Sequence, residues 1–363
     1  SLVIVALIFL VFVVGARIII PERTVLPYAY PLAAVGLLVA TLFGLEAGII
    51  ISILISLLVP YGMPNALDLM PYFLFSSLTG VLVLGAARRV WTFFRAGMGV
   101  AIAGIITLAA FRLPVVEMDG LAMLQLAGAS AFSGLASSSI ALLMQYFLAQ
   151  ALGLTTALQL IEISRPDFPL LQFFLRSAPG TYQHSLQVAN LAEQAAERIG
   201  ADALLTRVGA LYHDAGKTMD PIFFIENQVP GNLNPHNDLD PAASAETIIQ
   251  HVSDGFKLAQ QYHLPRRVQD FIAEHHGTTL TGYFYKRAQN AAGEGNPPPD
   301  PERFRYPGPR PHSKETAIVM LADACEAAVR SARPAKAEET AELVGKIIAE
   351  RLVMPAAPAD PVA

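Results

Sequence analysis

Apolar residues run almost unbroken through the first 160 positions of this 363-residue chain, and beyond them apolar and polar residues alternate at helical spacing. The first pattern predicts membrane helices. A bilayer core is crossed by about 20 apolar residues. The stretches Leu2 to Ile20, Pro27 to Phe43, Leu45 to Val59, Leu69 to Ala87, Ala96 to Leu113 and Leu121 to about Leu148 give some six candidate spans. Pro60, Pro64, Pro71 and Pro114 punctuate the connections, where residues unable to continue a helix belong. The last stretch is long enough to contain a helix break near Gly134.

The second pattern also predicts helices. Val188, Leu191, Ala192, Ala195 and Ile199 recur at steps of three and four, with His184 one turn before Val188. Leu204, Val208, Leu211 and Tyr212 mark another helix, which delivers His213 and Asp214 at its end before Gly216 stops it. Ile248, Ile249, Val252 and Phe256 flank His251. Val268, Phe271 and Ile272 lead into His275 and His276, and Ile318, Val319, Leu321 and Ala322 precede Asp323. No strand alternation or glycine-rich dinucleotide loop competes with an all-α reading: a polytopic transmembrane bundle followed by an all-helical cytoplasmic domain. The expected division is a transmembrane region over 1–154, a membrane-proximal coupling segment over 155–179, a soluble domain over 180–350 and a Pro/Ala-rich tail over 351–363. In the coupling segment Pro166, Pro169 and Pro179 interrupt short apolar runs, which suits either a helix lying near the membrane surface or an ordinary linker.

Charge sharpens the division. Hydrophobic residues make up 53% of the chain and charged residues 15%, against about 25% charged in an average soluble domain. The first lysine is Lys217. Arg88, Arg89 and Arg95 fall in one short stretch between spans, and the positive-inside rule assigns that loop to the cytoplasm. Asp68 and the Glu117/Asp119 loop then lie outside, and the chain after the sixth span is cytoplasmic again. The net charge of -5 leaves no footprint for long nucleic acids. The single cysteine, Cys325, rules out a disulfide framework and a zinc ribbon. Almost no charge lies within the spans, which argues against a transporter.

The candidate chemistry lies in His184, His213, Asp214, His251, His275, His276 and Asp323, in that order. An adjacent His and Asp followed by an adjacent His pair and a lone Asp suits two divalent metals, with imidazoles as terminal ligands and a carboxylate able to bridge. A lone histidine beside an apolar helix face is ordinarily a hydrogen-bonded core residue. Burying this many ionisable groups without compensation, however, costs roughly several kcal/mol for each ionised one. Lys217, three positions after Asp214, is placed to neutralise a phosphate oxygen, or else is an exposed lysine in a turn. His263, before Leu264 and Pro265, reads as structural; His236 and His312 carry no assignment.

The order H, HD, H, HH, D, together with APGTYQHSLQVANLAE, HDAGK, FFIENQ, NPH, HVSDG, HHGT, YFY, FRYPGP and MLADACEAAVR, resembles the HD phosphohydrolase superfamily, and within it the membrane-anchored 7TM-HD family. The resemblance covers nearly all of 179–330, and TTALQLIEIS is similar as well. It implies a metal-dependent phosphodiesterase that hydrolyses cyclic di-AMP to 5'-pApA. His184, His213, Asp214 and Asp323 would hold one metal, and Asp214, His251, His275 and His276 the other, with Asp214 bridging. Histidine-rich ligation suits Fe or Mn. Two such cations stabilise the entering and leaving oxygens of an in-line displacement at phosphorus. The implied partners are the cyclic dinucleotide, the lipid bilayer and a second copy in a homodimer.

Three departures accompany the resemblance. Gln183 stands where the family usually has a second histidine, an external sensory domain would precede Ser1, and the tail after Arg351 replaces the usual continuation, so the chain reads as part of something longer. Cyclic di-GMP hydrolysis of HD-GYP type is the alternative within enzymes, but HHGTTLTGYFY lacks that signature. A nucleotide-sensing receptor on a degenerate HD fold is the non-enzymatic one, and the intact ligand set argues against it.

Overall fold

The computed structural model describes residues 2–63, 66–112, 119–229, 231, 233–293 and 297–352. They form two compact units, Ser1–Gln159 and Leu160–Ala363. Among the described residues the only extended pairing is an isolated bridge between Leu280 and Arg305.

The first unit is a bundle of α1 (Leu2–Ile19), α2 (Leu26–Ala29), α3 (Ala33–Phe43), α4 (Leu45–Leu58), α5 (Ala66–Leu84), α6 (Val90–Arg112) and α7 (Gly120–Leu152). Leu26–Phe43, Leu67–Leu84, Val90–Arg112 and Gly120–Leu152 are long and apolar enough to cross a membrane, while Ala6–Ile19 and Leu45–Leu58 are shorter apolar helices. Apolar residues such as Leu7, Val11, Ile50, Leu82, Ile106 and Leu143 face outward, as lipid-facing positions require. Tyr28, Leu32, Val35, Ile55, Tyr72 and Phe73 form part of the interior.

Gly134 does not break α7, which is continuous for 33 residues. A Cβ there would sit 2.2 Å from the carbonyl oxygen of Gly97. The glycine exists for close approach of α6 and α7, the packing by small residues that lipid favours. Buried Ser130 works at the same seam, donating to the carbonyl of Ala101 (3.2 Å), while buried Ser133 ties α7 to the end of α2 through the carbonyl of Tyr30 (2.9 Å). Arg112 in the last turn of α6 pairs with Asp68 in the first turn of α5, which also accepts from Tyr28 at 2.7 Å. Arg88 and Arg89 lie in the connection before α6, but Arg95 lies within α6 itself, so the basic cluster is a loop plus the helix that leaves it. Pro64, Pro114, Glu117 and the tail from position 353 lie outside the described residues.

The second unit comprises most of α8 (Ala157–Ile163), then α9 (Pro169–Ser177), α10 (Pro179–Arg198), α11 (Ala203–Tyr212), α12 (Pro241–Gln261), α13 (Arg266–Glu274), α14 (Gly282–Ala292), α15 (Lys314–Ala332) and α16 (Ala337–Leu352). Local chemistry sets their starts. Asp202 caps α11 by accepting from Leu205 N at 3.1 Å, and Ser313 and Thr316 form a capping box at α15. Proline occupies the first turn of α9, α10 and α12, where its missing N–H costs nothing.

The segment before α10 contributes to the core of the second unit. Leu160, Ile163, Leu170, Leu171 and Phe174 are buried in the same core as Val188, Val208, Tyr212, Phe271 and Val319. The Tyr212 hydroxyl donates to the Ile163 carbonyl at 2.5 Å, fastening α8 to the end of α11. In α10 the expected apolar stripe divides. Val188 and Ala192 are buried, with Ala189 and Ala196, whereas Leu191, Ala195 and Ile199 line a groove against α15 and α16.

Candidate metal centre

Five elements of the second unit deliver the charged and imidazole side chains to one place. α10 carries His184 in its second turn. His213 ends α11, and Asp214 opens the 3-10 turn Ala215–Thr218. His251 lies midway along α12, His275 caps the end of α13 with His276 next, and Asp323 lies on α15. Gly216 does not act as a left-handed helix stop. A Cβ on it would lie 1.8 Å from the carbonyl oxygen of His251, so the turn bearing Asp214 rests directly on the backbone of α12.

The donor atoms fall into two sets, each within 4.8 Å: Asp214, His251, His275 and His276 in one, His184, His213 and Asp323 in the other. Asp214 stands between them. Its Oδ2 is 3.3 Å from His213 Nε2 and 3.6 Å from His184 Nε2, while its Oδ1 is 3.4 Å from His251 Nε2 and 3.6 Å from His275 Nε2. His184 Nε2 also meets Asp323 Oδ1 at 3.0 Å.

Helix geometry fixes which imidazole nitrogen faces the cluster. In His213, His251 and His275 the Nδ1–H donates to the carbonyl three residues back, of Ala210 (2.7 Å), Ile248 (2.6 Å) and Ile272 (2.9 Å). With Nδ1 engaged there, Nε2 is the nitrogen that faces the cluster, the arrangement found in metal-ligating histidines. His184 differs: its Nδ1 lies 2.6 Å from the buried carboxylate of Glu326.

The two sets also differ electrostatically. Burial alone lowers a histidine's pKa, but at His213 the nearby Asp214 and Asp323 outweigh it and push the value up to about 10. At His251 burial prevails, aided by His275 and Lys217, and the value falls to about 3 despite Asp214; His276 is lowered likewise. Burial opposes ionisation of Asp214, yet His213 and Lys217 hold it well below the usual carboxylate range. The cluster is therefore a fixed anionic bridge with His251 and His276 kept neutral on one side and His184 and His213 prone to protonation on the other.

Lys217 is not an exposed turn residue. Its ammonium lies 2.7 Å from Asp214 Oδ2 and 3.1 Å from Glu226 Oε1, over the face of Phe224. Glu226 accepts from Thr181 Oγ1 at 3.0 Å, and Arg330 reaches Glu326 at 3.3 Å. The sequence reading did not single out Glu226, Glu326 or Arg330. Their signals were available: Glu326 and Arg330 follow Asp323 at helical spacing, and Glu226 falls in FFIENQ. His236 is a buried structural residue, with Nε2 at 2.9 Å from Phe223 O, and His263 closes α12 with a φ of 53°. His312 meets Glu274 by both its backbone N–H (2.9 Å) and Nδ1 (3.0 Å), bracing the residue just before His275.

The donor set fits divalent cations. His213 Nε2 and Asp214 Oδ1 are buried without a protein hydrogen bond, and Asp214 Oδ2 has the Lys217 ammonium on one side only, an arrangement costly unless something positive lies between the donor sets.

The chain is similar to known proteins. The family model described as HD domain matches residues 181–328, and that described as 7TM receptor with intracellular HD hydrolase matches residues 1–156. The chain is 37% identical over 333 residues to the cyclic-di-AMP phosphodiesterase PgpH of Bacillus subtilis, an alignment covering 90% of this chain and 46% of that protein. It is 45% identical over 201 residues to PgpH of Listeria monocytogenes, covering 55% of this chain and 27% of that one. The crystal structure of the L. monocytogenes PgpH HD domain in complex with cyclic-di-AMP is 44% identical, with a TM-score of 0.49 over 52% of this chain and 86% of that one. The chain thus spans less than half the length of these full-length relatives.

Proposed function

Because the chain belongs to the family of 7TM receptors with an intracellular HD hydrolase, we propose that it is a membrane-bound, metal-dependent phosphodiesterase that hydrolyses cyclic di-AMP to 5'-pApA. The observation that carries the reading is Asp214: one buried carboxylate presenting one oxygen to each of two donor sets. His184, His213, Asp323 and Asp214 would hold one divalent cation, and His251, His275, His276 and Asp214 the other, with Fe or Mn suited to ligands rich in imidazole. Such a pair of cations acidifies water and stabilises charge on the entering and leaving oxygens at phosphorus.

The chain's own residues set the conditions for that chemistry. The backbone carbonyls of Ala210, Ile248 and Ile272 orient the imidazoles before any ligand arrives. Lys217 holds Asp214 Oδ2 and supplies positive charge beside the place where the phosphodiester must sit. Burial of the whole cluster strengthens each of these interactions. The second unit faces the cytoplasm in this proposal, on the side of Arg88 and Arg89, and self-association as a homodimer belongs to the same reading. The activity test incubates the detergent-solubilised chain with Mn or Fe and each cyclic dinucleotide, and identifies products by mass spectrometry. The expected product is 5'-pApA from cyclic di-AMP. Protein that binds two metals per chain but leaves cyclic di-AMP intact is not this enzyme.

A further inference from the structure

Two cavities flank the donor cluster, and their linings differ. On the His251 side a volume of about 370 Å³ is lined by Asp220, Glu246 and Asp254 and by no lysine or arginine, a surface that repels a phosphodiester. On the His184 side a larger cavity of about 880 Å³ is lined by Gln183, Gln187, Ile225, Arg330 and Arg333. Its acidic residues are already engaged, Glu226 with Lys217 and Glu326 with His184 and Arg330. The cavity therefore offers a substrate neutral amides, guanidinium groups and an apolar face.

Gln183 and Gln187 lie one turn apart on the same face of α10, and Gln183 directly precedes His184. Both are exposed to the cavity, and among the described residues neither amide bonds to a protein group. Ile225, 73% exposed, sits at the mouth.

Resting on the phosphodiesterase reading above, we propose that this cavity seats one purine of the cyclic dinucleotide, and that Gln183 and Gln187 select adenine over guanine. A carboxamide presents one donor beside one acceptor. On the edge that carries N7, adenine answers with its N6 donor beside the N7 acceptor, whereas the same edge of guanine shows two acceptors, O6 and N7. Ile225 gives the ring an apolar surface, and the planar guanidinium groups of Arg330 and Arg333 stack on bases or pair with phosphate. A cavity of this size suits a ligand far larger than a single phosphate.

The test compares wild-type protein, the double variant Gln183→Ala/Gln187→Ala and the single variant Gln187→Arg, all loaded with Mn. In the double variant KM for cyclic di-AMP rises about tenfold or more while kcat stays within about twofold, and preference over cyclic di-GMP falls by a similar factor. The Kd for a slowly hydrolysed phosphorothioate analogue of cyclic di-AMP, measured calorimetrically, rises in parallel. A guanidinium at position 187 donates to both O6 and N7 of guanine, so Gln187→Arg shifts kcat/KM toward cyclic di-GMP. Wild-type KM, Kd and base preference in these variants, with cyclic di-AMP cleaved normally by wild type, overturn the purine pocket alone. Wild-type protein that cleaves bis(p-nitrophenyl) phosphate but no cyclic dinucleotide overturns the substrate reading and this inference with it.

Discussion

Asp214 is the residue on which the two donor sets depend, because each of its oxygens faces a different one. In Asp214→Ala, metal content by elemental analysis falls below that of wild type by at least one ion per chain, and turnover drops to background. The helical circular dichroism signal stays near wild type, since the core beneath rests on Val188, Val208 and Phe271 rather than on the carboxylate. Gly216 makes a different demand. A methyl group there meets the His251 carbonyl at 1.8 Å and the Gly255 nitrogen at 2.4 Å. Gly216→Ala therefore costs about 3 kcal/mol in denaturant unfolding, at the upper end of ordinary overpacking because the obstacle is backbone. The seven candidate donors were legible in the sequence because helical spacing put them beside apolar faces. The role of Gly216 was not, since a glycine after a helix looks the same whether it turns the chain or admits a neighbouring helix. Glu326 and Glu226 had signals, in helical spacing from Asp323 and in FFIENQ, but nothing local distinguishes a carboxylate that serves a histidine or a lysine from one that faces solvent.

At the scale of elements, the clearest difference between sequence and structure is the segment joining α7 to α10. Its prolines suited either a surface helix or a linker; Pro169 and Pro179 start helices, Pro166 lies in the turn before α9, and Leu170, Leu171 and Phe174 at three- and four-residue steps bury α9 in the core. The pattern was present but too short, at nine residues, to stand out against three prolines. The fastening of α8 to α11 is one hydrogen bond, from Tyr212 to the Ile163 carbonyl, and Tyr212 immediately precedes His213. Tyr212→Phe leaves that carbonyl without its donor. Stability falls by about 1 to 2 kcal/mol, and hydrogen exchange rises in α8 ahead of α10 and α15. Uniform exchange across all three helices would show that α8 has no separate stability. The apolar residues of α10 pose the converse problem: periodicity counted Leu191, Ala195 and Ile199 on the buried face, but helix α16, which supplies the other wall of their groove, has no signal within α10 itself.

For the molecule as a whole, composition separated a lipid-facing part from a water-facing one, and the two units divide within α8, at Gln159–Leu160. Orientation across the membrane rests on Arg88, Arg89 and Arg95. In a Cys325→Ser background, Arg89→Cys is protected from a membrane-impermeant maleimide in intact cells and labelled after permeabilisation, while Asp119→Cys reacts in both. The reverse labelling pattern would place the HD unit outside the cytoplasm.

One dimension of α7 carries this further. Its 33 residues extend about 50 Å along the helix axis, some 20 Å beyond the hydrocarbon thickness of a bilayer. No sharp bend at Gly134 absorbs the excess, because that residue is the contact with α6. The surplus is met by tilting or by turns standing clear of the lipid, in proportions that follow bilayer thickness. The helix ends at Gly153, four residues before α8 begins. Acyl-chain length in the surrounding membrane thus becomes a mechanical variable at the entrance to the second unit, and reconstitution in lipids of graded chain length is the way to read it.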